Sequence, residues 1–272
     1  MSRVGSSLLL VGCGKMGGAM LEGWLKADQV DRVVVVEPHD AGFQVGNHPR
    51  VLRCSSVKAV PAQFSPDVVV LAVKPQTMDQ VVPDYAGFTK PGTLFLSIAA
   101  GKTLGWLEAR LGDKAAIVRA MPNTPAAIGR GMSVCCPNDR VSPLQIGLAE
   151  NLLRAVGDVA WVEEEELMDA VTAVSGSGPA YVFLLVEAMA QAGLKAGLPP
   201  DLAVELARAT VAGAGELLHR SNEPAATLRR NVTSPGGTTE AALDVLMAED
   251  GIQPLFDKAI ANATARSREL AR

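Results

Sequence analysis

The chain is 272 residues long, 48% apolar and 4% aromatic, with a formal net charge of −4. That length points to two domains with ample material for a core. The negative balance argues against a partner held by neutralising its phosphates, so nucleic-acid binding is not expected.

The first strand is Leu8-Leu9-Leu10-Val11, a continuous apolar run ended by Gly12 that suits burial on both faces. It is too short for the apolar core of a signal peptide, and no uncharged stretch along the chain reaches the roughly 18 residues of a membrane span. Cys13, Cys54, Cys135 and Cys136 show no Cys-x-x-Cys spacing, and the last two are chain neighbours, a pattern of free thiols in a reducing compartment. A soluble, cytoplasmic protein with no membrane partner is expected. After the strand comes Gly12-Cys13-Gly14-Lys15-Met16-Gly17 and then a helical pattern. This is GxGxxG between a strand and a helix, the context that marks a dinucleotide site. Gly12 makes the tight turn, Gly14 admits a pyrophosphate close to the backbone, and Gly17 lets helix and strand pack closely.

Residues 33–36 form a second strand ending at Glu37, about 20 residues beyond the glycines, where such folds place the acid that holds the adenosine ribose 2′-OH. A carboxylate there repels a 2′-phosphate and favours NADH over NADPH; the other reading is an acid that faces solvent. Strands at 68–73 and 93–98 run into Lys74-Pro75 and Ala99-Ala100-Gly101, so Val73, Lys74 and Ala100 fall at carboxyl ends of strands, where ligands of doubly wound sheets lie. Lys74 reads equally well as a surface lysine. A strand at 116–119 leads to Met121-Pro122-Asn123-Thr124-Pro125, whose prolines hold Asn123 and Thr124 extended or turned. Short strands at 132–135 and 159–162 flank a helix at 145–155.

The acidic run 163–166 reads as a solvated helix start near a domain boundary, complementing the helix dipole. No histidine or cysteine accompanies it, so no metal site is expected. Beyond it the segments 167–174, 179–196, 200–219, 223–231 and 239–270 are helix-patterned. The fold class is therefore α/β, with a dinucleotide-binding domain over 1–162 followed by an all-α domain over 163–272. The helix at 179–196 is interrupted only by Glu187, Gln191 and Lys195, spaced i, i+4, i+8, which leaves one narrow polar stripe. A domain of roughly a hundred residues seldom buries such a helix alone. An extensive homodimer interface is expected, the alternative being the central helix of a monomeric bundle. Ahead of it lies Ser175-Gly176-Ser177-Gly178-Pro179-Ala180-Tyr181, either a second helix N-terminus with spare donors, capped by Ser177, or a plain hinge.

The stretch Asn231-Val232-Thr233-Ser234-Pro235-Gly236-Gly237-Thr238-Thr239 joins two helical patterns. Pro235 fixes φ and the glycines permit left-handed angles, so successive N–H groups can turn toward one point and form an anion nest. Thr238 or Thr239 would cap the next helix, whose N-terminal dipole attracts a carboxylate or phosphate. An ordinary helix–loop–helix turn is the simpler reading of the same residues.

MPNTP at 121–125, SGSGPAY at 175–181 and VTSPGGTT at 232–239, together with GCGKMG at 12–17 and AVKP at 72–75, resemble the pyrroline-5-carboxylate reductase family. The resemblance spans nearly the whole chain. It implies a Rossmann-like domain followed by a helical domain that interlocks with a second copy, as a homodimer or an oligomer of dimers. It implies reduction of the cyclic imine 1-pyrroline-5-carboxylate to L-proline by NAD(P)H, the last step of proline biosynthesis. It places the cofactor on Gly12, Gly14, Lys15, Met16, Gly17, Glu37, Val73, Lys74 and Ala100, and less securely on Ser56, which can cap a helix after Ser55. Asn231 would reach the cofactor from the helical domain of a neighbouring subunit. The substrate carboxylate would be held around Ser234, Gly237, Thr238 and Thr239, with the Thr239 hydroxyl beside the ring nitrogen as the catalytic group. Many relatives carry a small hydroxyl residue where this chain has Glu37, a departure that bears on NADPH use.

His39, His48 and His219 lie outside these motifs, so a His/Asp proton relay of the kind used on ketones is not suggested. A protonated imine is already a strong electrophile and needs chiefly to be bound, aimed and kept dry. Two competing readings remain at this level. One is a β-hydroxyacid dehydrogenase or imine reductase of similar plan, though no GxxKxxN helix is present. The other is a silent dinucleotide-binding sensor.

Overall fold

The structure, a computed structural model, describes residues 6–39 and 48–271. The chain divides into two compact units, Met1–Gly176 with Thr264–Arg272, and Ser177–Ala263.

In the first unit, strands β1 (Ser6–Val11), β2 (Val30–Val36), β3 (Val51–Cys54), β4 (Val68–Leu71), β5 (Leu94–Ser97), β6 (Ala116–Met121), β7 (Gly131–Pro137) and β8 (Gly157–Trp161) form one sheet. Its order is β3-β2-β1-β4-β5-β6-β7-β8. The first six strands are parallel, β7 runs antiparallel to β6, and β8 is parallel to β7. The order 3-2-1-4-5-6 reverses direction between β1 and β4, which opens a crevice at the carboxyl ends of those two strands. The expected Rossmann-like arrangement is therefore present.

Alternation of side chains explains why these runs are apolar throughout. Leu8, Leu10, Val33, Val35, Val68, Val70, Leu94 and Leu96 pack in one cluster with Met20, Leu21 and Trp24 of α1 (Lys15–Lys26) and Leu152 and Leu153 of α4 (Pro143–Arg154). Leu9, Val11, Val34, Val69, Leu71 and Phe95 pack in the other with Met78 of α2 (Met78–Val81), Tyr85, and Leu107 and Leu111 of α3 (Leu104–Leu111). A sheet covered on both faces needs apolar residues at every position. The indole N–H of Trp24 donates to the Leu152 carbonyl at 2.8 Å, so the largest buried side chain leaves no donor unpaired.

One strand is not foreseen from the sequence, and two expectations need correction. Strand β3 does not stand out in the sequence, because as an edge strand it exposes Leu52 and Arg53 and lacks a continuous apolar run. The helical pattern at 239–270 is two helices, α9 (Thr238–Leu246) and α10 (Ile252–Leu270). They are parted by a turn in which a Cβ on Gly251 would lie 2.4 Å from the Leu246 carbonyl oxygen, a spacing only glycine allows. The acidic run 163–166 is not simply a solvated helix start. Glu165 Oε1 accepts from Arg119 Nη1 at 2.7 Å and from the Leu104 N–H at 2.8 Å, tying β6 and the first turn of α3 to the segment before α5 (Leu167–Val171).

The second unit contains α6 (Gly178–Lys195), α7 (Pro200–Arg220), α8 (Ala225–Asn231), α9 and most of α10. Gly193 lets α6 approach α7 closely, since a Cβ there would meet Leu198 Cδ1 at 3.1 Å and Ala203 Cβ at 3.4 Å. Tyr181 and Phe256 meet edge to face, with ring centroids 6.3 Å apart. The buried apolar side chains of this unit are Ala190, Ala203 and Ala207, whereas Phe183 is 62% exposed and Leu184 63%. The helical run Leu167–Lys195 is long and apolar enough to cross a membrane by length and composition.

Arg119 is 4% exposed and its recorded side-chain partner is Glu165. Glu165→Gln, which strands that guanidinium, should lower unfolding free energy by about 2 kcal/mol, and Arg119→Met with Glu165→Leu together should recover most of it. Urea denaturation curves of the three proteins measure both effects.

Candidate functional site

The turn after β1 is shaped by what surrounds it. Gly12 has φ +88°, and a Cβ there would lie 2.8 Å from Val73 Cγ1 and 2.9 Å from the Ala72 carbonyl oxygen. Gly17 is equally confined, with the Gly12 carbonyl oxygen 2.6 Å from where its Cβ would be. Gly14 is different: nothing lies within 4 Å of its Cβ position, and it stands exposed at the head of α1. Two positions are closed by protein and the one between is open, which fits a backbone prepared for a pyrophosphate against a helix N-terminus. Lys15 is exposed and Met16 half-buried in the first turn of that helix.

Around this turn the parallel strands deliver the remaining residues along one edge. Glu37 follows β2, Ser56 follows β3, Val73 and Lys74 follow β4, and Ala100 follows β5. Glu37 is fixed by the backbone: its Oε2 accepts the Cys13 N–H at 2.8 Å and its Oε1 accepts the His39 N–H at 3.0 Å. The carboxylate is thus bound to the glycine turn itself. Two charge-assisted bonds leave each oxygen one further lone pair for a ribose hydroxyl. Arg53, on β3, donates to the His39 carbonyl at 2.6 Å and brings a cation to the same strand ends. Ser56 heads the three-residue turn Val57–Ala59 with extended backbone, but its hydroxyl makes no capping bond, contrary to expectation.

The Cys13 thiol is pushed up to about 11 by burial, with Glu37 adding to the effect. Cys135 rises to about 12, mainly by burial. Both are neutral thiols at physiological pH, so they pack as small apolar groups and offer no thiolate nucleophile. Among the described residues no group of histidine, cysteine and carboxylate side chains is arranged for a metal ion.

MPNTP contributes a clamp that sequence reasoning placed on a rigid loop without a partner. Asn123 Nδ2 lies 3.2 Å from both the carbonyl oxygen and the Oγ of Ser175, and its Oδ1 accepts the Met132 N–H at 2.8 Å. Ser175 belongs to a π-turn, Thr172–Gly176, where a Cβ on Gly176 would meet Met121 Cε at 2.4 Å. Loop and turn are keyed together by one amide and one missing methyl. Such turns often mark functional sites. The signal available in sequence was the proline pair bracketing Asn123, which shows rigidity but not what it holds.

Asn231, Ser234 and Gly237 to Thr239 lie in the second unit, on the connection from α8 to α9. Asn231 ends α8, exposed, with its Nδ2 3.3 Å from Glu223 Oε2. The α9 N-cap is Gly237, in extended conformation, so neither Thr238 nor Thr239 caps; both stand inside the first turn. Ser177 likewise heads α6 without a side-chain cap. Gly236 is left-handed at φ +68°, as expected of a nest. Two of its donors are used within the chain. The Gly236 N–H goes to Glu240 Oε2 at 2.6 Å and the Gly237 N–H to the Ser234 carbonyl at 3.0 Å. Among the described residues the N–H groups of Thr238 and Thr239 have no such acceptor, and each of the two residues also carries a hydroxyl. The arrangement offers an anion two backbone donors, two hydroxyls and the positive end of α9.

Comparison with known proteins agrees with both halves. Residues 165–270 match the family described as "Pyrroline-5-carboxylate reductase dimerisation", and residues 7–101 match "NADP oxidoreductase coenzyme F420-dependent". A pyrroline-5-carboxylate reductase of Synechocystis sp. is 42% identical over 96% of this chain and 97% of its own. The structure of a Coxiella burnetii pyrroline-5-carboxylate reductase is similar at TM-score 0.90, with 34% identity over 98% of this chain and 99% of that one. A Plasmodium falciparum pyrroline carboxylate reductase, solved with NADP bound, matches at TM-score 0.81 and 29% identity over 98% of each chain. Glycine turn, strand-edge residues, hydroxyl-rich helix start and full-length similarity agree, and the chain belongs to the pyrroline-5-carboxylate reductase family.

Proposed function

We propose that the chain reduces 1-pyrroline-5-carboxylate to L-proline with NAD(P)H. The observation that carries this reading is the pairing of a pyrophosphate-ready turn, open only at Gly14, with a helix start that keeps the Thr238 and Thr239 donors free for a carboxylate. Reduced nicotinamide, when bound, supplies the hydride. Gly12, Gly14, Lys15, Met16, Gly17, Glu37, Ser56, Val73, Lys74 and Ala100 would hold that cofactor, with Asn231 contributing from a neighbouring subunit. Ser234, Gly237, Thr238 and Thr239 form the substrate loop, Gly237 by shaping the turn and the two threonines by donating. With the carboxylate on these donors, the Thr239 hydroxyl is the group for the ring nitrogen, orienting it and relaying its proton. No strong acid is required, because the protonated imine is electrophilic on its own.

We put the functional boundary at 162/163, next to the start of the dimerisation match at residue 165; the compact units divide differently, at Gly176, with Thr264–Arg272 in the first. A homodimer is supported by the exposure of Phe183 and Leu184 on a helix with one buried alanine. A second copy covering that face leaves no role for a membrane, and the buried, unpaired cysteines fit a cytoplasmic setting. An assembly of several dimers is compatible with the same interface.

NADH is proposed as the better cofactor because Glu37 is held in place by two backbone donors and cannot easily turn away from a 2′-phosphate.

Consumption of NADH on addition of the cyclic imine, followed at the nicotinamide absorbance, tests the activity; binding without turnover would identify a sensor instead. In that assay Thr239→Ala should lower kcat/KM by roughly 100-fold while Thr239→Ser keeps most of it. Unchanged kinetics in the alanine variant would remove the role given to the hydroxyl. Glu37→Ser should move the NADPH-to-NADH ratio of kcat/KM upward by about tenfold, the size of one lost charge contact near a phosphate. Phe183→Glu with Leu184→Glu should shift the protein to a monomer in sedimentation, and an unchanged mass would show that this face is not the interface.

A further inference from the structure

The loop after β5 carries Ala100 and is held from several directions. At Gly101, φ is +72° and a Cβ would lie 3.2 Å from the Leu270 carbonyl oxygen, so the end of α10 lies against the loop backbone. Next to it, Lys102 Nζ lies 3.0 Å from Asp79 Oδ2 and 4.3 Å from the centre of the Trp106 ring. Arg110 completes the set: its Nη2 is 2.6 Å from Asp79 Oδ1, its Cζ is 3.7 Å from the same ring centre, and its Nη1 donates to the Trp106 carbonyl at 3.2 Å. Thr103 caps α3 by accepting the Trp106 N–H at 3.1 Å, which fixes where the indole starts.

The carboxylate at the centre comes from the neighbouring loop. Asp79 lies in α2, shortly after Lys74, whose carbonyl accepts both the N–H and the hydroxyl of Thr77 at 2.9 Å. The hydrogen bond from Lys102, joined by that from Arg110, holds the Asp79 carboxyl below the usual carboxylate range, so the bridge persists across physiological pH. One acid thus ties the connection after β4 to the connection after β5, and one indole aligns the two cations that reach it. A single exposed ion pair does little for folding. Two cations over a common ring, one of them the planar guanidinium of Arg110, are aligned in advance on one carboxylate, which fixes distance and direction.

We propose that Asp79, Lys102, Trp106 and Arg110 are positioning residues for the dinucleotide, setting the spacing between the loop that bears Lys74 and the loop that bears Ala100. This rests on the cofactor reading given above. The brace acts through the two backbones it joins. Loss of the brace lets the two loops move independently, and small displacements of binding groups are costly to a ligand that spans them.

Dissociation constants for NADH by nicotinamide fluorescence, with KM for each substrate, kcat and melting temperature, test the inference. Asp79→Asn and Trp106→Leu should each raise Kd and KM for the dinucleotide by roughly tenfold with KM for the imine unchanged. Trp106→Phe keeps a ring under both cations and should stay within about twofold of the parent. Lys102→Gln, which leaves the Arg110–Asp79 bridge, serves as a milder variant should Trp106→Leu fold poorly, and should give an intermediate rise. If the parent protein does not bind NADH, the cofactor reading itself fails. If the parent binds and the variants bind equally well, whatever their melting temperatures, the brace is structural only and the inference is overturned. A parallel rise in KM for both substrates overturns it as well.

Discussion

The site depends on the close approach between the turn after β1 and the end of β4. A side chain at position 12 would enter the space of Val73 Cγ1 and the Ala72 carbonyl, and one at 17 would enter that of the Gly12 carbonyl. These contacts bring the head of α1 down onto the carboxyl edge of the sheet, where the strand order reverses. Because residues 8–11 of β1 and the whole of β4 are neighbours and buried, the edge cannot shift to accommodate a methyl group without disturbing both hydrophobic layers. Glycine is required here by packing as much as by φ. The opening at Gly14 exists because the positions on either side are closed.

Hydrogen bonds then determine which donors remain for ligands. The Glu37 carboxylate ties the end of β2 to the glycine turn through the Cys13 N–H, so the residue expected to read the ribose also supports the backbone proposed for the phosphates. On the loop proposed for the substrate Glu240 does similar work. By taking the Gly236 N–H from the third position of α9 it stabilises the left-handed turn, in the manner of a capping-box acid, while the Thr238 and Thr239 amides stay open. In both places an acidic side chain organises a loop whose remaining donors face outward. A neutral residue at either position would leave a loop amide unpaired and the loop less defined.

Much of this was legible in the chain itself. The uninterrupted apolar runs at β1, β2, β4 and β5 announce strands buried on both faces, and GxGxxG between a strand and a helix announces the turn. Residues following strand ends could be assigned to one edge from topology alone. Other features were not legible, for identifiable reasons. Strand β3 is an edge strand whose Leu52 and Arg53 face solvent, so its pattern carries little hydrophobic signal. The expected threonine cap of α9 falls on Gly237 because the helix begins at Thr238, earlier than the hydroxyl pattern suggests, and the acid at 240 holds the turn before it through the Gly236 N–H. Glu165 looked like one of four solvated acids. Its partner Arg119 is far away in sequence and reaches it only once β6 is paired in the sheet. Long-range pairs of charges and the Asn123–Ser175 clamp depend on tertiary proximity, which local pattern does not encode.

The three small side chains buried in the second unit have a thermodynamic consequence. Alanines remove little apolar area from water, so Ala190, Ala203 and Ala207 cannot offset the conformational entropy of five helices by themselves. Ordering of that unit is therefore linked to whatever covers its leucines and phenylalanines. If the cover is a second copy, mass action makes its stability a function of protein concentration. The melting temperature of the helical half then becomes a property of the solution rather than of the chain, rising as the protein is concentrated, while the sheet, with its own two-sided core, keeps a fixed one.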